Sequence, residues 1–376
     1  TYIINIVHIL YLVLMNTLQI VILVLTRNYI AYLVIKIIFR IIENVVITII
    51  ANKMYPYIKE KNVKEIYKKN KNSIILKVKG LIFHKIGSFV VLGSDNIIIS
   101  TFLGVATVGL YSNYNTILQA VNNLFSQVFS SITASVGNLL VEKEKEKSYR
   151  IYKNMLFINS WMYNFSAIAI LCLMEPFIKI WIGEQYLLSY GVLIILSINF
   201  YVQGMRKTSN TFKEAAGIFH EDRFVPIMES IINIVASIAF LKIWGLAGVF
   251  LGTVTSSLIL FLYSYPVYVY KKLFNRTYWQ FLKEHSKYLM ISAICGIITA
   301  GIIKNIIINN NFIQLIFNGI IVVIVPNLLQ YLIFRKREEF EYVKGMIINM
   351  VKKGKKNERE EKKYRKISVD PGSVCY

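Results

Sequence analysis

Ten stretches of this chain are apolar over about the 20 residues that a helix needs to cross a bilayer. They lie at 3–25, 28–51, 81–104, 113–140, 153–174, 188–205, 225–243, 246–270, 287–304 and 312–334. Hydrocarbon offers no water to backbone N–H and C=O groups, so a run of this kind is satisfied as a helix. The chain is therefore expected to be an all-α, polytopic membrane protein. Composition agrees: of 376 residues, 55% are hydrophobic and 17% charged, where a soluble domain carries about 25% charged residues.

The net charge of +22 would point to nucleic acid in a soluble chain. Its placement decides otherwise. Lys and Arg number nine in 52–79, five in 141–153, four in 205–223, five in 271–287 and thirteen in 335–376. The alternate turns hold only Arg27, Lys179, Lys242 and Lys304. Thirty-six cations on one face against four on the other is a strong positive-inside asymmetry, which puts the 52–79 loop and the C-terminus in the cytoplasm. The three cysteines, Cys172, Cys295 and Cys375, form no CxxC pair and indicate neither a disulfide framework nor a zinc site. The chain opens Thr1-Tyr2-Ile3 inside an apolar run, and is expected to be a fragment without its N-terminal part. No metal or cofactor is expected.

Intramembrane polar residues are costly and mark either a pathway or a lock. Lys36, Arg40 and Glu43 follow at i, i+4 and i+7, on one helical face. They form either a cationic cavity wall suited to phosphate, or an internal Arg40–Glu43 pair with Lys36 reaching outward. Asp95 stands alone in an apolar run, as a cavity residue that takes up a proton or cation, or as a lock with Asn96 and Ser100 nearby. Asn115, Gln119, Asn122, Ser126, Ser130 and Thr133 recur at helical spacing. That uncharged stripe suits sugar hydroxyls or helix-to-helix hydrogen bonds equally. Arg206, Lys207 and Arg223 are expected at the cytoplasmic rim, as phosphate contacts or headgroup anchors. The 52–79 segment reads as a linker along the membrane surface, and the tail from Arg335 as amphipathic at first and basic at its end. No P-loop, H-E-x-x-H or C-x-x-C occurs, so catalysis is not expected.

The segments SDNIIIS, GLYSNY, GMRKTSNTF, EAAG and GVFLGT resemble bacterial polysaccharide-biosynthesis flippases. These belong to the exporter superfamily that also contains MATE multidrug transporters and lipid-linked oligosaccharide flippases. The resemblance implies two six-helix lobes around a central cavity, with an added C-terminal helix pair. Residues 1–51 would then be the last two helices of the first lobe, 52–79 the linker, 80–270 the second lobe, 271–334 a loop and the extra pair, and 335–376 the tail. It further implies a multi-pass protein of the bacterial cytoplasmic membrane, moving an undecaprenyl-diphosphate-linked oligosaccharide outward. Partners would be that lipid, membrane lipids, and a polymerase or glycosyltransferases of the same pathway. Lys36 and Arg40 would face the diphosphate and the 113–140 stripe the glycan. A cation-coupled drug exporter of the same fold is the alternative. It prefers an acidic cavity, whereas Lys36, Arg40 and Lys85 exceed Glu43 and Asp95 by one charge. A membrane-embedded glycosyltransferase or polymerase is a third class.

Overall fold

The structure is a computed structural model that describes residues 2–59, 68–142, 144–306, 308–346 and 348. All ten apolar stretches are helical: α1 Tyr2–Thr26, α2 Tyr29–Met54, α3 Lys68–Leu103, α4 Val105–Val141, α5 Lys145–Trp181, α6 Tyr190–Ala215, α7 Val225–Trp244, α8 Leu246–Tyr265, α9 Tyr278–Lys304 and α10 Asn311–Phe334. Among the described residues no strand occurs, and seven helices are long and apolar enough to cross a membrane: α3, α4, α5, α7, α8 with its continuation to Phe274, α9 and α10. The other three fall short for visible reasons. α1 qualifies only as the shorter apolar segment Leu10–Thr26. α2 carries Lys36, Arg40 and Glu43 at its centre, and α6 has Arg206, Lys207, Lys213 and Glu214 in its last turns. The protein is an all-α polytopic membrane protein.

The chain divides into two units, Thr1–Lys71 and Asn72–Tyr376. In the first, α1 and α2 form a hairpin. Arg27 turns the chain with φ 50°, and the Asn28 side chain caps α2 by accepting from Ile30 N at 2.9 Å and Ala31 N at 3.3 Å. Gln19, buried on α1, donates to the Tyr32 carbonyl at 3.0 Å.

In the second unit α5 is the most enclosed helix. It packs on α6, α9 and α10, while α6 also meets α4 and α8, and α7 pairs with α8. Two helices extend beyond the expected spans: α3 takes in Lys68 and α5 starts at Lys145, because Lys- and Glu-rich flanks are good helix formers. Residues 68–79 of the 52–79 segment are thus helical. The tail continues helically over 338–346, with Phe340 stacked on Trp161 at 6.1 Å; its basic end, 352–366, lies outside the described residues. α8 continues through a π turn, Pro266–Lys271, and one α turn to Phe274.

Close helix approach rests on glycines. A Cβ on Gly252 would lie 2.4 Å from Ser237 N, and one on Gly87 would lie 2.6 Å from the Pro226 side chain. Small residues permit such contact where no hydrophobic drive separates helix from lipid. Gly252→Val is expected to lower the melting temperature of the detergent-solubilised protein clearly. Gly301→Val, at a site with nothing within 4 Å, is expected to leave it nearly unchanged.

Candidate functional site

In the first unit the Arg40 Nη1 lies 2.5 Å from Glu43 Oε2. Glu43 is buried, the Arg40 side chain is 60% exposed, and Lys36 is exposed. The i, i+3 spacing brings the two charges together, so the Arg40 charge is partly met on its own helix.

Asp95 on α3 is buried and held from other helices. Thr253 Oγ1 on α8 lies 3.0 Å from Oδ2 and 3.2 Å from Oδ1 of Asp95. Asn233 Nδ2 on α7 donates to Thr253 Oγ1 at 3.0 Å, and Ser94 Oγ donates to Asn233 Oδ1 at 2.9 Å. Ser237 Oγ donates to the Val249 carbonyl at 2.9 Å. The expected neighbours play no such part. Asn96 is exposed, and Ser100 bonds its own helix at Ile97 O, because i+1 and i+5 fall on other faces of the helix. Asp95 is eight residues before Leu103 and Thr253 eight after Gly245, which sets the group roughly 12 Å from those helix ends.

The α4 stripe divides. Gln119 and Ser130 are exposed, while Asn115, Asn122, Ser126 and Thr133 are half-buried. Asn115 Oδ1 accepts from Tyr111 OH on its own helix at 3.3 Å. Asn122 Oδ1 accepts from Tyr163 OH of α5 at 3.0 Å, and Ser126 Oγ accepts from Lys207 Nζ of α6 at 2.8 Å. Asn123 and Gln127, beside the stripe, are exposed as well. The arrangement is a band of amides and hydroxyls with an ammonium in the second half of α4.

Arg206, one residue earlier, turns inward instead. Its guanidinium forms a two-pronged pair with Glu229 of α7: Nη1 meets Oε1, and Nη2 donates to Oε2 at 2.8 Å. Nε reaches Tyr265 OH at 3.2 Å, and Ser257 Oγ donates to Glu229 Oε1 at 3.2 Å. The rim position expected for Arg206 is therefore a half-buried one with the charge already neutralised. Arg223 is spent on its own turn, donating to the His220 carbonyl at 3.0 Å and lying 4.6 Å over the Phe224 ring. Among the described residues Lys207 has no carboxylate within ion-pair distance.

Glu229 was not singled out in the sequence, and neither was the cluster beside it. A cavity of ≈ 190 Å³ between α3, α6, α7 and α8, beside the 216–224 turn, is bordered by Arg206, Glu229, Lys213 and His84. Buried Asp222 accepts from His84 Nε2 at 2.8 Å and pairs with Lys213 Nζ. Burial alone raises the Asp222 carboxyl, but the His84 hydrogen bond and the Lys213 charge outweigh it and hold it below the usual carboxylate range. These partners are 138 and 9 residues away; only the rarity of Asp in the chain hinted at them.

With that geometry in hand, comparison with known proteins adds little. No family model and no curated protein matches the chain. A solved structure, "Lipid II flippase MurJ, inward closed conformation", is similar at 17% identity with a TM-score of 0.45, over 73% of this chain and 57% of that one. This chain thus spans little more than half the length of that structure.

A carboxyl whose pKa is depressed on folding stabilises the folded state above its unfolded value, near 4, and ceases to do so as pH falls through the folded one. Asp222→Asn is expected to flatten the acid limb of the stability curve of the solubilised protein. At neutral pH it leaves Lys213 unpaired and destabilises by about 3–5 kcal/mol. A variant whose thermal melts match the wild type from neutral pH to pH 3 would contradict this.

Proposed function

We propose that the protein is a flippase for a lipid-linked oligosaccharide, moving its sugar and phosphate head from the inner to the outer leaflet by alternating access. The observation that carries this reading is Lys207. Its ammonium has a neutral hydroxyl, Ser126 Oγ at 2.8 Å, as its hydrogen-bond partner, on a helix face of amides and hydroxyls. A phosphate is a better partner for it than a serine. Gln119, Asn123 and Gln127 are exposed along the same helix and offer donors and acceptors to sugar hydroxyls. Lys36, exposed on α2, is a further cation in this reading, while the Arg40 charge stays with Glu43. The resemblance to polysaccharide-biosynthesis flippases supports an undecaprenyl-diphosphate carrier, a role in surface polysaccharide assembly, and residence in the bacterial cytoplasmic membrane.

Asp95 favours a coupled cycle. A carboxylate with Thr253 Oγ1 at 3.0 Å and the Asn233 amide beyond it can take up a proton or small cation, which would loosen the tie between α3 and α8. The same feature supports the second reading, a cation-coupled exporter of drugs.

Lys207→Gln, expressed within the full-length protein, is expected to cut outward movement of lipid-linked glycan about tenfold or more and to let the glycan accumulate on the cytoplasmic leaflet. Arg206→Lys, which cannot reproduce the two-pronged pair, is expected to lower stability first. Normal glycan export by a stably folded Lys207→Gln protein would overturn the flippase reading. Efflux of cationic dyes abolished by Asp95→Asn would establish the drug exporter in its place.

A further inference from the structure

The outer face of this protein is nearly bare of charge, which makes its few cations informative. Of Arg27, Lys179, Lys242 and Lys304, two border one cavity. It measures ≈ 410 Å³ and lies at the outer ends of α5, α9 and α10. Lys179 stands near the end of α5, Lys304 at the end of α9, and Asn311 and Gln314 at the start of α10. Leu171, Pro176 and Ile303 line the cavity as well. Polar groups at the helix ends above apolar side chains match the layering of a lipid, headgroup outside and acyl chain inside.

Several of the polar groups are already engaged, and Lys304 is the cation that is not. Gln314 donates to the Ile306 carbonyl at 3.2 Å and to Asn318 Oδ1 at 2.6 Å, and Asn318 donates to the Cys172 carbonyl at 3.2 Å. Lys179 Nζ lies 3.2 Å from Glu175 Oε1 and 3.8 Å from Glu184 Oε1. Lys304 is exposed and, among the described residues, has no carboxylate within ion-pair distance. Lys179 is thus met by Glu175 and Glu184, and Lys304 is the cation at the cavity left without a carboxylate, complementary to a single phosphodiester.

The geometry points to a binding site for an anionic glycerophospholipid of the outer leaflet, with its phosphate at Lys304 and Lys179 and its first acyl carbons over Leu171 and Ile303. The site concerns membrane lipid and does not depend on what the protein transports. A zwitterionic phospholipid matches it less well, because its ammonium brings a second cation to a place where Lys304 already has no carboxylate to offset it.

Native mass spectrometry of the purified full chain, released from detergent with phosphatidylglycerol added, tests the assignment. Lys304→Gln is expected to weaken phosphatidylglycerol retention about tenfold. Glu175→Gln, which removes the nearer of the two carboxylates on Lys179, is expected to strengthen it. A misfolded variant can only lose binding, so opposite signs separate recognition from damage. Lys242→Gln, an outer-face cation away from the cavity, is expected to retain the lipid as the wild type does. The assignment fails if Lys304→Gln binds like the wild type, if Glu175→Gln fails to gain, or if Lys242→Gln loses as much. Displacement by soluble glycerol phosphate at equal concentration would overturn the lipid and leave only the phosphate.

Discussion

A guanidinium inside a helix bundle must find its counter-charge there, and the Arg206–Glu229 pair orders the surrounding half of α6, α7 and α8 around that requirement. The planar fork meets both carboxylate oxygens, a geometry a single rotamer on each side can satisfy. The remaining bonds extend the constraint. Gln203 Nε2 donates to Ser257 Oγ at 2.6 Å, Ser257 donates to Glu229, and Tyr265 OH, which accepts from Arg206, donates to Asn210 Oδ1 at 2.8 Å. α6, α7 and α8 are thereby set in register. Desolvating two charges offsets much of their attraction, so the pair contributes definition of one arrangement more than it contributes stability.

Toward the Gly104 and Gly245 turns the same helices are joined without charge pairs. α7 and α8 meet through Ser237, Gly248 and Gly252, where backbone stands in van der Waals contact with backbone. α3 joins them through Asp95 and Ser94 and, nearer Glu229, through the Gly87 carbonyl, to which Ser230 Oγ donates at 3.0 Å. Ser94, Asp95, Ser230, Asn233, Ser237 and Thr253 each find a partner on a neighbouring helix, which is the condition hydrocarbon imposes. Asp95 alone brings a formal charge to that level of α3, α7 and α8. A group held by hydroxyl and amide partners, with no cation among the bonds, is one whose charge state can change without breaking an ion pair.

The sequence displays the helices well and the contacts between them poorly. Ten apolar runs became ten helices because length and hydropathy are local properties. The Asn122–Ser126 part of the stripe was legible for the same reason: a 3.6 period needs only one helix. Asp95 was visible as an anomaly, but its partner Thr253 is 158 residues away, and the nearby Asn96 and Ser100 were the wrong neighbours. Glu229 drew no attention because an acid near a helix start is ordinary on its own. Only its approach to Arg206, 23 residues earlier, gives it meaning. The start of α3 at Lys68 was missed since charge signals the bilayer edge, whereas a helix ends only where its backbone does.

Arg206 and Lys207 are consecutive and about 100° apart around the helix axis, and that angle assigns them opposite work. The arginine is turned into α7 and spent. The lysine is turned to α4 and bonded to a serine. A carrier must release what it binds, so the cation it shows to an anionic head cannot be one whose alternative partner is a carboxylate, nor one left bare in a dry site. A hydroxyl at 2.8 Å lies between these limits. It keeps the ammonium satisfied when the phosphate is gone, and it yields to a phosphate at the modest net cost of one hydrogen bond to a charged group, about 1.5–3 kcal/mol. Lysine suits such an exchange better than arginine, because a point charge with three rotatable donors can swing from one oxygen to another without holding a fixed plane. In the flippase proposed above, the fork would stand where the helices hold still and the point charge where the ligand comes and goes.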